Sequence, residues 1–276
     1  MSRISRRFAD LREQGRAGLI TFLTAGDPDM TTFETALAGL PEAGADLIEV
    51  GVPFSDPMAD GPAIQAAGLR ALKSGTKLRH ILAAVGRFRR ADENTPIILM
   101  GYYNPIFHYG IEAFTTDAAE AGVDGLIIVD LPPEESDEFL PSATRAGLEL
   151  IRLTAPTSDD ARLPKVLKGA GGFVYHVAIA GITGTRSASI ADVQPVVERI
   201  RRHTNLPVAI GFGIRTPDQA AATAAIADAV VVGSALVETV AANLNAEGKA
   251  GPGLVAALHA QVAALAAGVR RVARGK

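Results

Sequence analysis

Eight short aliphatic runs, each bounded by Gly, Pro or Asp, recur along the chain. They are LITFLT at 19–24, DLIEV at 46–50, IILMG at 97–101, GLIIV at 125–129, ELIRL at 149–153, FVYHV at 173–177, PVAIG at 207–211 and AVVVG at 229–233. Between them lie segments rich in Ala, Glu and Arg with helical spacing, for example 32–43, 61–73, 77–90 and 111–121. An aliphatic strand with no polar face must be covered on both sides, which parallel strands joined by crossover helices achieve. Eight such units in 276 residues predict a single (β/α)8 TIM barrel over 1–276 rather than an open doubly wound sheet. The stretch up to Gly15 is expected to add an N-terminal helix across the barrel floor. Pro41, inside the first crossover helix, is expected to kink it or end its regular hydrogen bonding.

Strand starts are mostly 22 to 28 residues apart, but the interval after the second strand is 51 and that after the sixth is 34. The surplus chain belongs in loops at the carboxyl ends of those strands, the rim where barrels carry their chemistry. Charge excludes other roles: 27 basic against 30 acidic residues give a formal net charge of -3, so no overall field draws the chain to nucleic acid or an anionic membrane. Apolar runs such as 229–236 fall well short of a membrane span of roughly 20 residues. The charged N-terminus shows no secretory signal. The absence of cysteine excludes disulfides, thiolate metal sites and cysteine nucleophiles, and fits a cytoplasmic protein.

Glu49 is the least expected residue in these strands. With period-2 alternation it shares a face with Leu47, while Ile48 and Val50 share the other, so Glu49 is expected to point into the barrel mouth. Burial there raises a carboxyl pKa toward the working pH, as a group that gives and takes a proton requires. The bland alternative is a Glu pairing with a loop donor to pin the strand end. Asp56 and Asp60 follow in a loop stiffened by Pro53, Pro57 and Pro62, where ordinary turn chemistry competes with a catalytic role.

Glycine-bearing turns follow the last three strands: Gly181-Ile182-Thr183-Gly184, Gly211-Phe212-Gly213 and Gly233-Ser234. Each alone reads equally well as a tight turn; together they suit the phosphate site that barrels build from their last loops, with Thr216-Pro217 and Ser234 as helix starts at that rim. Phe22, Met100, Tyr102, Ile127, Val129, Leu153, Tyr175, Phe212 and Val232 are expected to turn inward and form a pocket for a flat aromatic ring. A Schiff-base aldolase would need a Lys inside a strand, and every Lys falls in a helix, a loop or the tail. A zinc aldolase would need converging His, and only His108 lies near the rim, so no metal is expected. A phosphosugar isomerase and a non-enzymatic binding subunit remain open readings of the same residues.

The run IEVGVPFSDPMADGP, from Ile48 to Pro62, resembles the signature of tryptophan synthase alpha subunits. MGYYNP at 100–105, GITG at 181–184 and GFGI at 211–214 are similar to that family in the same order, so the resemblance extends over essentially the whole chain. It implies a lyase of tryptophan biosynthesis that cleaves indole-3-glycerol phosphate to indole and glyceraldehyde 3-phosphate in a barrel of this kind. It implies Glu49 as acid–base residue, Asp60 as second carboxylate, Tyr175 in the pocket, Thr183 on a lid, and Gly184, Gly213, Gly233 and Ser234 at the phosphate. It further implies no cofactor in this chain, and a pyridoxal phosphate (PLP) beta subunit as partner in an alpha2-beta2 assembly. The loop carrying Pro53 and Asp56 is expected to face that partner.

Overall fold

The computed structural model describes residues 1–178, 190–211 and 213–274. Its strands are all parallel: β1 (Gly18–Thr24), β2 (Leu47–Gly51), β3 (Ile97–Gly101), β4 (Gly125–Ile128), β5 (Glu149–Leu150), β6 (Arg152–Thr154), β7 (Val174–Val177), β8 (Val208–Gly211) and β9 (Ala229–Val232). They form one ladder in the order β5-β4-β3-β2-β1-β9-β8-β7-β6. The ends of that ladder are consecutive pieces of the strand expected over 149–153. It changes neighbour at Ile151, whose N–H donates to Leu126 O at 2.9 Å, while Leu150 O accepts from Gly171 N at 2.9 Å. Nine ladder segments are therefore eight barrel strands, and the chain itself closes the ring.

Alternation divides the core into two. Leu47, Ile98, Ile127, Ile151 and Val231 point inward and pack together, whereas Ile48, Val50, Leu99, Val230 and Val232 join the larger cluster between strands and helices. The N-terminal helix Arg3–Glu13 forms as expected, capped by Ser2, which accepts from Ser5 N. Its Ile4, Phe8 and Leu11 enter the inner cluster, and the Phe8 ring lies 5.7 Å from that of Phe173, which plugs the floor. Pro41 sits two residues before the end of helix Met30–Ala43, where Gly44 at φ +113° takes the left-handed cap, so the proline costs the helix little. The surplus chain after the second barrel strand is a coil over 52–61 followed by helices Pro62–Lys73 and Leu78–Arg89. That after the sixth falls mostly in 179–189, outside the described residues.

At the floor, one arrangement occurs three times. Asp46, Asp124 and Asp228 each accept a main-chain N–H at or next to the start of the preceding barrel strand, from Leu19 at 2.9 Å, Ile97 at 2.8 Å and Val208 at 2.9 Å. Each also pairs with arginine: Asp46 with Arg16, Asp124 with Arg3 and Arg89, and Asp228 with Arg201 and Arg274. A buried carboxylate with two cations and a main-chain donor is expensive to break, because removing its charge strands its partners. Asp124→Asn is therefore expected to destabilise the fold by about 2–4 kcal/mol, lowering the urea midpoint without changing the slope. A loss under about 0.5 kcal/mol would make the network incidental.

Candidate active site

β2 carries Glu49 inward at the pleat above Leu47, in register with Phe22 on β1 and Ile98 on β3. Glu49 is 1% exposed and neither carboxyl oxygen has a hydrogen-bond partner among the described residues, where the strand-pinning alternative finds no donor. Desolvation alone pushes its pKa up to about 8, and no cation pulls it back. The Tyr175 phenol on β7 feels the same charge, and burial together with Glu49 holds it well above its ordinary range. Two glycines make room for these rings. A Cβ on Gly211 would stand 2.5 Å from the Tyr175 hydroxyl, and one on Gly51 would stand 2.4 Å from Cζ of Phe22. Gly211, expected as part of a phosphate turn, thus has a separate reason to be glycine.

Above this lies the loop that carries Asp60. Its turns close through Met58 N to Asp56 O at 2.9 Å and Asp60 N to Pro57 O at 3.2 Å. The side-chain amide of Gln65 donates to Asp60 O at 2.8 Å, and Ala59 N donates to the Tyr102 hydroxyl at 3.1 Å. The Tyr102 ring lies 5.3 Å from that of Phe54, so this tyrosine, expected only as a pocket wall, also anchors the loop. Asp60 is raised to about 6 by burial, against the opposing pull of a hydrogen bond from Tyr102, and Tyr102 itself is raised to about 12, chiefly by burial. Asp130 fixes the next residue by accepting from Tyr103 N at 2.7 Å.

Loop and strand ends enclose a pocket whose walls include Phe22, Met100, Tyr102, Val129, Pro53 and Asp60. Its mixed apolar and polar lining suits a small aromatic ligand. Ile127, Leu153 and Tyr175 also face the barrel interior, as expected. Val232 does not: it packs on the helix side, and Val231 takes the inward position opposite Ile20. Phe54, Ile64, Gln65 and Thr24 line the pocket and were missed. Ile64 and Gln65 belong to a helix whose face toward the barrel is set by packing, which leaves no motif. Asp56 stands exposed on the outer side of the loop.

On the other side of the mouth Gly213 adopts φ +75°, a backbone that side chains rarely take. Gly233 caps helix Ser234–Ala242, and Thr216 caps helix Pro217–Ala224 in a reciprocal box with Gln219, so two helix N-termini stand at the rim as expected. Thr183, Gly184 and Phe212 lie outside the described residues. His176 is buried on the helix side against Thr154 Oγ1 at 3.1 Å, and burial pushes its pKa down to about 4. Among the described residues no group of three or more His, Asp or Glu is placed to hold a metal ion, and no helix is long and apolar enough to cross a membrane.

Comparison with known proteins gives one consistent result. A family model described as tryptophan synthase alpha chain matches residues 8–266. The chain is 57% identical over 270 residues to the tryptophan synthase alpha chain of Acidiphilium cryptum, covering 98% of both chains. Among solved structures it is similar to tryptophan synthase subunit alpha from Legionella pneumophila, with a TM-score of 0.90 and 35% identity, covering 99% of this chain and 100% of that one. It is also similar to a chain of tryptophan synthase from M. tuberculosis, with a TM-score of 0.86 and 38% identity, covering 98% and 99%.

The unpartnered carboxyl has a cost in stability with a definite sign. Because the folded-state pKa of Glu49 is raised above its ordinary 4.5 to about 8, the folded state holds this proton more tightly than the unfolded chain, and stability is lost as pH climbs through that window. Each unit costs roughly 1.4 kcal/mol. Glu49→Gln is therefore expected to gain on the parent by about 2 kcal/mol or more between pH 5 and pH 8 in urea unfolding. A difference independent of pH would mean that the carboxyl is not desolvated.

Proposed function

The chain belongs to the tryptophan synthase alpha chain family, lyases that cleave indole-3-glycerol phosphate to indole and glyceraldehyde 3-phosphate, and from that premise we propose that Glu49 and Asp60 carry this reaction in one barrel domain. The observation behind the proposal is the pair of carboxyls with separated environments: one dry and unpartnered, with a pKa near 8, the other at the pocket edge near 6. At neutral pH Glu49 is largely protonated and Asp60 largely ionised.

The cleavage is a retro-aldol reaction. Glu49 protonates C3 of the indole, giving an indolenine cation. The resulting carboxylate takes the proton of the C3' hydroxyl, the C–C bond breaks, and the bonding electrons return to the ring. Asp60, anionic and held by Tyr102, accepts from the indole N–H and stabilises the positive charge developing on the ring. Phe22, Met100, Tyr102, Ile127, Val129, Leu153, Tyr175 and Phe212 enclose the indole. Gly233 and Ser234 receive the phosphate at the N-terminus of helix Ser234–Ala242, with Gly184 and Gly213 as the further phosphate-binding residues. Thr183 closes over the substrate as a lid.

This chemistry calls for no cofactor in the chain. The partner is a PLP-bearing beta subunit that consumes the indole, in an alpha2-beta2 assembly in the cytoplasm. Pro53 and Asp56 lie on its docking side, and the exposed Met58 and Phe107, 75% and 58% accessible at the same rim, supply apolar area for the contact.

Two outcomes check the reading. Glu49→Gln is expected to slow indole release by about two to four decades while substrate binding persists, and Asp60→Asn to be comparably severe; near-normal turnover in either would remove that residue from the mechanism. For the parent, kcat/KM for indole release is expected to rise as Asp60 ionises through about pH 6 and to fall as Glu49 loses its proton through about pH 8. A profile flat across both flanks would contradict the assigned protonation states.

A further inference from the structure

Thr24 ends β1 facing a glycine. Its register partner on β2 is Gly51, whose missing side chain leaves room for the Phe22 ring, and Thr24 lies one pleat beyond Phe22 on the wall of the same pocket. The residue is 5% exposed and its Oγ1 has no hydrogen-bond partner among the described residues. A buried hydroxyl left without a partner is costly, and such groups are retained where something supplies the missing bond.

The candidates are few, because Thr24 lines both the active-site pocket and a smaller cavity behind β1. The other polar side chains on those two walls are Asp27, Thr32, Asp60, Gln65 and Tyr102. Asp27 lies on the wall of the smaller cavity only and is held there by the Arg70 fork, at 2.7 and 2.8 Å. Thr32 donates its hydroxyl to Asp29 at 2.8 Å. Tyr102 accepts from Ala59 N at 3.1 Å and hydrogen-bonds Asp60, and the Gln65 amide nitrogen is used by Asp60 O. The carboxylate of Asp60 can accept several hydrogen bonds, and among the described residues Tyr102 is its one donor.

We propose that Thr24 is a positioning residue of this site, whose hydroxyl donates to the Asp60 carboxylate when bound substrate draws that carboxylate inward. The inference rests on Asp60 acting as an anion in indole release. Thr24 acts through Asp60, fixing its aim toward the ring nitrogen and favouring its charged form. Around this contact, Tyr102 is the titratable group acting on Asp60, Asp130 acts on Tyr102 in turn, and the Asp27–Arg70 ion pair closes the opposite side.

The sign of the effect follows from the direction of the hydrogen bond. A donor to the anion lowers a carboxyl pKa, so deleting it raises the pH at which Asp60 ionises. The experiment is the pH profile of kcat/KM for indole release from indole-3-glycerol phosphate, for the parent, Thr24→Val and Thr24→Ser, with Tm recorded for each. Thr24→Val is expected to move the acid flank upward by about half to one pH unit and to cut kcat/KM near pH 6 by about 3- to 10-fold, with Thr24→Ser restoring both. If Thr24→Val does not fold, Thr24→Ala removes the same hydroxyl without adding volume and takes its place. An acid flank that stays put while only Tm changes overturns the proposal, as does a flank that stays put because the hydroxyl bonds the carbonyl oxygen of Gln65. A parent that releases no indole overturns the functional reading first; a parent with a normal profile and an unmoved variant overturns the role of Thr24 alone.

Discussion

A carboxyl group 1% exposed inside the barrel, with no hydrogen-bond partner among the described residues, is costly to bury. The rest of the site depends on the surroundings that keep it dry. Phe22 leans over the space that Gly51 leaves empty, and the Tyr175 phenol occupies the space that Gly211 leaves empty. Water excluded from that volume cannot stabilise the charged form, so the proton stays on Glu49 into the neutral range. The same desolvation that costs folding energy supplies a general acid at working pH.

The second carboxyl is held by different means. Asp60 sits on a loop rather than a strand, and its position is set by main-chain anchoring: Ala59 N on the Tyr102 hydroxyl and Asp60 O on the Gln65 amide. Tyr102 thereby joins three duties, as pocket wall, loop anchor and hydrogen-bond donor to Asp60. An acid fixed by a strand and an anion fixed by a loop let one partner stay rigid while the other adjusts to substrate.

Stability and chemistry occupy opposite ends of the barrel. Asp46, Asp124 and Asp228 tie strand starts to arginines at the floor, and the helix Arg3–Glu13 seals it with Ile4, Phe8 and Leu11. The carboxylates there are paired and spend their charge on the fold. Those at the mouth are short of partners, which leaves them reactive.

Much of this was legible in the residues. Eight aliphatic runs separated by helical segments gave the barrel, because a strand with no polar face has to be covered on both sides; alternation turned Glu49 inward, because Ile48 and Val50 needed the helices. The long interval after the second strand located the loop of Asp60. Val232 shows the limit. Ala-Val-Val-Val is apolar on both faces, so composition cannot choose between the two phases of a period-2 pattern, and only the register with β1 put Val231 inward. The change of neighbour at Ile151, the fit of Tyr175 over Gly211, the anchoring role of Tyr102 and the unpartnered hydroxyl of Thr24 are likewise contacts between distant segments. The sequence by itself determined which strands and helices form and which carboxyl has to be buried, since those follow from local hydrophobic periodicity. Only the tertiary structure decided which polar groups find partners and which do not, since a hydrogen bond across the barrel depends on ångström distances that no local pattern encodes.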